Sequence, residues 1–247
     1  MQRYALLIEA SNVTGEEDLP GARNDVIAMR NFLMSPPGGA WWHDEIEIVN
    51  KPQYRSVFEK LLDHKEDYSL VYFSGHGSEC VQGCPSVCLN DTERTIPVTC
   101  LYPESKYGIV ITDCCRGNGM LEASNGNMKT ASFSSVTSSV AEYVKSRKLW
   151  NAALAQCIRS NTDDGIVEML ACQYNEAASE TEAPEAYGLY SHAIINAAKN
   201  WYQEASCNTC LTTLQVHKLI ASYMEETHGQ HPAYFPSELE YPFAIKA

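Results

Sequence analysis

Two short segments of the sequence carry the residue types needed for nucleophilic catalysis. In the first, the apolar residues 70–73 run into Ser-Gly-His-Gly, which places His76 between two glycines. In the second, the apolar residues 109–111 run into Thr-Asp-Cys-Cys-Arg-Gly, which places two cysteines, Cys114 and Cys115, directly after an acid. A thiolate becomes an effective nucleophile when a neighbouring base takes its proton. His76 and one of these cysteines therefore predict covalent catalysis, provided that the fold brings them together.

The elements that must do this are two buried strands, which the apolar runs indicate. Ligands bind beyond the carboxyl ends of the strands in an open α/β sheet, and neighbouring strands lie about 4.8 Å apart. If the two strands are parallel neighbours, His76 and Cys115 meet at one edge. Successive strand residues point to opposite faces, so Cys114 is predicted to point away from this site.

The rest of the chain alternates between strand and helix patterns. Strands are predicted at residues 4–8, 45–49 and 165–171, and helices at 19–33, 54–62, 140–158, 187–204 and 211–227. Such alternation predicts an α/β fold with a mostly parallel sheet of about six strands flanked by helices. Residues 78–101 interrupt it as a loop with a short hairpin, residues 118–139 are predicted to be a mobile loop, and the tail 231–247 is predicted to be irregular with an edge strand at 243–245.

Composition narrows the possible partners. The 247 residues carry a net charge of −13, which disfavours nucleic acid and anionic membrane surfaces. No apolar run approaches the roughly 18 residues of a membrane span, and the N-terminus is predicted to be a strand rather than a signal peptide. Ten cysteines without a secretion signal predict mostly free thiols and a cytoplasmic location.

At Ser74-Gly-His-Gly77 and Asp113-Cys-Cys-Arg-Gly117 the chain resembles the caspase-like cysteine peptidases, a clan of caspases, metacaspases, paracaspases and bacterial homologues. Similar stretches at 19–25, 167–173 and 187–192 extend the resemblance over nearly the whole length. It implies one three-layer domain, with a large-subunit-like part at 1–117, a linker at 118–150 and a small-subunit-like part at 151–247.

The resemblance also implies roles for individual residues. His76 would be the base, Cys115 the nucleophile, and the backbone N–H groups of Gly77 and Cys115 the oxyanion donors. Caspases place the histidine about 50 residues before the cysteine, whereas here the separation is 115 − 76 = 39, which a shorter intervening insertion explains. A regulated protease of signalling, cell death or defence is implied, gated by an activating partner or a small-molecule ligand.

Specificity is predicted from the acids. Caspases that cleave after aspartate carry glutamine at the position of Asp113 and an arginine at that of Leu19, whereas Asp25 and Asp113 match the acids with which metacaspases and paracaspases hold a basic side chain. The resemblance thus implies a protein or peptide substrate cleaved after Arg, then Lys, with Ser74 as a further substrate contact. Asp25 is alternatively a helix cap, Asp113 a loop-capping acid and Ser74 merely a small residue before the turn. Arg116-Gly117 replaces the His-Ser-Gly of metacaspases and leaves the subfamily open.

Four basic residues follow the nucleophile and suit self-processing: Lys129, Lys145, Arg147 and Lys148. A solvated basic cluster is the alternative. No cofactor is predicted. Calcium remains a possibility although no EF-hand loop is present, and zinc at Cys80, Cys84 and Cys88 or at Cys207 and Cys210 does not match the usual ligand spacing.

Two rival functions stay open. The first is a ligand-sensing or scaffolding module with little catalysis, in which the cysteine-rich insertion or the acidic loop 172–186 binds the partner. The second and weaker one is a zinc-assisted hydrolase.

Overall fold

The secondary structure follows the predicted alternation. A computed structural model describes residues 2–65, 68–79, 83–90, 95–116, 139–160, 164–181 and 186–247. Its strands are β1 Arg3–Ala10, β2 Ile46–Asn50, β3 Tyr68–Gly75, β4 Gly77–Glu79, β5 Pro85–Val87, β6 Ile96–Pro97, β7 Tyr107–Asp113, β8 Gly165–Leu170, β9 Thr209–Thr212, β10 Ala233–Phe235 and β11 Pro242–Lys246. The helices are α1 Pro20–Met34, α2 Tyr54–Asp63, α3 Val140–Ser160, α4 Leu189–Glu204 and α5 Thr213–His228.

Six of these strands form the main sheet, in the order β10-β8-β7-β3-β1-β2. All neighbours are parallel except β10, which runs antiparallel to β8. The central strands β1, β3 and β7 are buried along their whole length, as expected for a parallel sheet covered on both faces. The predicted sheet of about six mostly parallel strands is thereby confirmed.

Two apolar layers sandwich the sheet. On one face, residues from α1, α3, α4 and α5 pack against alternate strand residues such as Leu7 and Ile109. On the other face, Val57 and Leu61 of α2 and residues of the 85–101 insertion pack against the intervening residues such as Leu6 and Val110. Because successive side chains of a strand point to opposite faces, each strand contributes side chains to both cores, and helices pack on both faces of the sheet.

The C-terminal part differs from the prediction. The tail, predicted to be irregular, supplies β10 as the edge strand of the main sheet. The strand predicted at 243–245 is present as β11, but it pairs with β9 in a separate two-stranded sheet. Strand β9 occupies residues that the helical pattern had assigned to the start of α5. Short tail strands carry too few residues for periodicity to separate them from loops.

Two further regions can be compared with expectation. The insertion forms a three-stranded sheet, β4-β5-β6, where a loop with one hairpin was predicted. Residues 140–150, assigned to the linker, lie in α3, while residues 117–138 fall outside the described part of the chain. Among the described helices, none combines the length and apolarity of a membrane span.

Candidate active site

The pairing of β3 with β7 sets the positions of the two predicted catalytic residues. The strands are parallel and Ser74 lies opposite Asp113. His76 and Cys115 each follow two residues later, so both leave the sheet at the same edge and level. Cys115 packs on the α1 and α4 face whereas Cys114 is buried in the opposite core, as the alternation predicts.

The His76 ring is oriented by a backbone carbonyl. Its Nε2 lies 2.6 Å from the carbonyl oxygen of Glu17, in the loop before α1. A carbonyl only accepts hydrogen bonds, so Nε2 carries the proton and donates. In the neutral ring Nδ1 then holds the free lone pair, and Nδ1 is the atom able to accept a proton. No sequence pattern points to Glu17, because a backbone carbonyl accepts hydrogen bonds whatever its side chain.

The Cys115 thiol is in a protonated resting arrangement. Its Sγ donates to the carbonyl oxygen of Ala178 at 3.7 Å. Burial raises the pKa of the thiol above its ordinary value, and the nearby carboxylates of Asp113 and Glu180 raise it further. Removing this proton therefore requires a base, which is the role available to His76.

Gly77 is held against the cysteine segment. A methyl group on Gly77 would lie 2.5 Å from the Cys114 Sγ and 2.7 Å from the carbonyl oxygen of Cys115. Real Cβ atoms do not approach other atoms so closely, so only glycine permits this contact. The turn after His76 and the turn after Asp113 are thus packed backbone to backbone, which places the predicted oxyanion residues side by side.

Asp25 and Asp113 come together under the N-terminus of α4. Asp25 accepts hydrogen bonds from the Gly188 N–H at 3.0 Å and from the Ser74 hydroxyl at 2.9 Å. Asp113 accepts from the Ser191 N–H at 2.8 Å and from its hydroxyl at 2.6 Å. A Cβ at Gly188 would collide with both carboxylates, so a glycine is needed between them.

These contacts test the alternative roles of Asp25 as a helix cap, Asp113 as a loop-capping acid and Ser74 as merely a small residue. Helix α1 has Leu19 at its N-cap, with no side-chain cap, and Asp25 lies beyond the first turn, so it does not cap its own helix. Asp113 does bind the first turn of α4, where a carboxylate is favoured. Ser74 donates to Asp25, an internal contact that neither reading of this residue included.

The sequence reasoning missed a third acid, Glu180. It lies in the 172–186 loop, which folds back so that Glu180 bridges to Gly188 and its carboxylate accepts from the Gly21 N–H at the start of α1. Burial raises the pKa of Glu180 to about 7, and the Asp113 carboxylate contributes to this. Burial also raises the pKa values of Asp25 and Asp113, and repulsion from Asp113 raises that of Asp25 further.

The three acids line a small cavity beside Cys115. Its wall is completed by uncharged residues: Leu19, Ser74, Gly75, Cys114, Ala178, Ser179 and Gly188. No cationic side chain is among them. The cavity measures about 20 Å³, which is room for about one water molecule. Ala178, Ser179 and Glu180 are three consecutive residues of its lining.

The remaining predicted residues lie elsewhere. Lys145, Arg147 and Lys148 are in α3, where Arg147 pairs with Glu45, and Lys129 lies outside the described residues. Among the described residues, no three His, Cys, Asp or Glu side chains are grouped as metal ligands. Cys84 is in a disulfide, which departs from the predicted free thiols and prevents Cys84 from binding zinc. In the described part of the chain, seven other cysteines form no disulfide.

Comparison with known proteins agrees with this architecture. The crystal structure of caspase-1 from Spodoptera frugiperda superposes with a TM-score of 0.60 at 10% sequence identity, covering 99% of this chain and 92% of that one. No curated protein matches the sequence. The sequence profile of the caspase domain, in contrast, matches residues 2–243. The chain therefore belongs to the caspase-domain family of cysteine peptidases.

Proposed function

We propose that the protein is a cysteine endopeptidase that cleaves after Arg, and less readily after Lys, with Cys115 as nucleophile and His76 as base. The observation that carries the specificity is the cavity beside Cys115. Asp25, Asp113 and Glu180 face it without a cationic side chain among its lining residues. A guanidinium group supplies the missing positive charge and can bind carboxylates through two parallel hydrogen bonds, whereas an aspartate side chain would be repelled.

The reaction follows from the site residues. His76 Nδ1 takes the Cys115 thiol proton, and the thiolate attacks the carbonyl carbon of the substrate arginine. The resulting oxyanion accepts hydrogen bonds from the Gly77 and Cys115 N–H groups. The imidazolium then protonates the leaving amine, which leaves a thioester. A water molecule, deprotonated by His76, hydrolyses that thioester and regenerates the thiol.

Under this proposal, the arrangement described above is a resting state. The Cys115 thiol donates to the Ala178 carbonyl, and the cavity is too small for a guanidinium group. Substrate binding therefore requires displacement of residues 178–180, and an activating partner, ligand or calcium ion would act by favouring that displacement. Pairing the three carboxylates with a buried cation would stabilise the open arrangement and so offset the free-energy cost of displacing residues 178–180.

Fluorogenic peptides that differ only in the residue before the scissile bond test the proposal. We expect cleavage after Arg to exceed cleavage after Lys, and cleavage after Asp and Ala to be absent, with and without calcium. Cys115→Ala and His76→Ala should abolish cleavage, whereas Cys207→Ser, at an exposed free thiol, should not affect it. Preferential cleavage after Asp would contradict the acidic pocket.

A thiol probe separates the enzyme from the rival ligand-sensing or scaffolding module. Iodoacetamide labelling followed by peptide mapping should show that Cys115 is modified faster in the wild type than in His76→Ala, whereas the exposed Cys207 is modified at the same rate in both proteins. No peptide cleavage under any condition, together with equal labelling of Cys115 in the two proteins, would favour the scaffold.

Self-processing at a basic residue remains part of the proposal. Cleavage at Lys145, Arg147 or Lys148 would require local unfolding of α3, because a protease binds extended backbone; Lys129, outside the described residues, stays a candidate. Intact mass of wild type against Cys115→Ala tests it. Fragments found only in the wild type support self-cleavage, and identical masses contradict it.

A further inference from the structure

A second, larger cavity lies between α1 and the first turns of α3. Its volume is about 480 Å³, within the range of small-molecule sites. Parallel strands and the helices that follow them run in opposite directions, so the C-terminal half of α1 lies at the sheet edge remote from His76 and Cys115. The walls combine three groups: apolar and aromatic side chains (Met34, Ala40, Trp41, Trp42, Val140, Tyr143, Val144), two polar ones (Asn31, Ser35) and three basic ones (Arg30, His43, Arg147).

The apolar part of this wall is exposed to solvent. Trp42 is 54% exposed, Val144 43% and Tyr143 40%. Large apolar side chains grouped around a concave surface indicate a binding site more strongly than scattered ones do. The Arg147 guanidinium already lies over the Trp42 ring, 5.5 Å from its centroid, so a planar occupant would pack against the other face of Trp42 and against the Tyr143 ring.

The charge of the wall indicates the sign of the ligand. None of the lining residues that the structure describes is an acid. The Arg147 guanidinium is held by the Glu45 carboxylate, which Arg3 also contacts, so this trio retains one positive charge. Within the described part of the chain no acid pairs with Arg30, which lies on the α1 side of the cavity. In a protein of net charge −13, such a cationic lining is a local exception.

We propose that this cavity binds a small aromatic carboxylate. The ring would lie against Trp42 and Tyr143, and the carboxylate would accept a bidentate hydrogen bond from Arg30. The volume accommodates a ligand of one or two fused rings. A cationic ligand would face Arg30 and Arg147 without a free carboxylate, since Glu45 is already shared between two arginines. The proposal is independent of peptidase activity.

Binding can be measured on the intact protein by isothermal titration calorimetry with 2-naphthoate. Its neutral counterpart, 2-naphthamide, has the same ring and nearly the same shape. We expect 2-naphthoate to bind about tenfold more tightly, because hydrogen bonds to charged groups are stronger than neutral ones. Arg30→Gln should reduce 2-naphthoate affinity to that of the amide and leave amide affinity unchanged.

Two variants provide controls. Arg23→Gln, at an exposed position of the same helix outside the cavity, should bind 2-naphthoate as the wild type does. Val144→Asp places a negative charge in the wall at an exposed position and should weaken 2-naphthoate more than 2-naphthamide. Absence of 2-naphthoate binding, equal affinity for the two compounds, or wild-type 2-naphthoate affinity in Arg30→Gln would overturn the proposal.

Discussion

Buried and half-buried carboxylates occur in two regions of this molecule, and their surroundings are opposite. Glu45, half-buried at the sheet edge remote from the candidate active site, lies between Arg3 and Arg147. Burial would raise its pKa, but hydrogen bonds from Arg147 and the charge of Arg3 outweigh burial, and the pKa is lowered. Asp25, Asp113 and Glu180 share a cavity whose described lining includes no cationic side chain, and the pKa of each is raised.

The two clusters differ in whether the protein itself supplies the counter-charge, and we take this as the difference between a structural cluster and a functional one. At Glu45 the protein supplies its own counter-charges, so the cluster is complete in the folded state and contributes to its stability. At the cavity beside Cys115, Asp25 and Asp113 accept hydrogen bonds from Ser74, Gly188 and Ser191, and none of the described lining residues supplies a counter-charge. Clustered acids with raised pKa values are typical of functional sites. We infer that a substrate cation completes the second cluster.

The largest expected effect follows from removing a pocket charge. Asp113→Asn keeps the shape and can still accept from the Ser191 N–H, so it changes charge and little else. We expect kcat/KM for an Arg substrate to fall by about 10²–10³, since loss of one member of a buried charge pair costs about 2–5 kcal/mol. Activity on the neutral isostere citrulline should change far less. Asp44→Asn, at an exposed acid, is the matched control, and equal losses for both substrates would contradict the pairing.

The next effect is on stability and comes from breaking the balanced cluster. Arg3→Met leaves Glu45 with one counter-charge and removes hydrogen bonds to the Gly39 and Ala40 carbonyls. We expect unfolding free energy to fall by about 3 kcal/mol, which lowers Tm by roughly 6–12 °C in a chain of this size. Arg55→Met, at an exposed arginine paired with Glu59, should leave Tm unchanged. A Tm of Arg3→Met equal to that of wild type would show that the cluster is not structural.

A smaller effect concerns pH. With a pKa of about 7, Glu180 is ionised above that pH and protonated below it, so its attraction for a guanidinium is lost on acidification. The ratio of kcat/KM for Arg over citrulline substrates cancels the titration of Cys115 and His76. We expect this ratio to fall by up to about tenfold between pH 8 and pH 6.

Variants at two glutamates sharpen that measurement. Glu180→Gln should give a low ratio that does not change with pH, and Glu226→Gln, at an exposed position of α5, should behave as the wild type. A steep pH dependence that persists in Glu180→Gln would assign the titration to another group.

The smallest effect is a gain of stability. A carboxyl whose pKa is raised by folding stabilises the protein while protonated, and that contribution is lost as pH rises from its ordinary value through the raised one. Asp25→Asn cannot ionise, so it does not lose this stabilisation at high pH. We expect its unfolding free energy at pH 8.5 to exceed that of wild type by about 1 kcal/mol, which raises Tm by roughly 2–4 °C. The difference should shrink at pH 5.5. A variant less stable than wild type at pH 8.5 would argue against repulsion between the two acids.

Much of this arrangement could be predicted from the sequence, because its parts are local. The apolar runs before His76 and Cys115 predict β3 and β7, and the residues after them mark the carboxyl edge of the sheet. Helix α1 was predicted at residues 19–33 and lies at Pro20–Met34. These elements follow from periodicity, and a periodicity of several turns or strand residues is a strong signal.

The missed parts depend on distant contacts. Glu180 reaches the cavity only because its loop folds back to Gly188, and one acid among four in that loop had no distinguishing pattern. Strand β10 has three residues and is fixed by pairing with β8 rather than by its own sequence. Ser74 and Gly188 contact these acids only because the fold places Asp25 and Asp113 next to each other.

The register between β3 and β7 has a consequence for how such chains tolerate insertions and deletions. The level at which β3 and β7 end, two residues before His76 and Cys115, is set by main-chain pairing within the sheet. The small sheet β4-β5-β6 belongs to the segment that joins the two strands. It contacts the His76 turn through the pairing of Gly77 with Val87 and through the Cys88 N–H, which donates to the His76 carbonyl at 2.9 Å, so length changes elsewhere in that segment would leave the strand ends in place. The number of residues between a histidine and a cysteine is therefore a poor guide to such a pair. Two neighbouring parallel strands that end at the same level, each followed by one of these residues, are a more reliable signature.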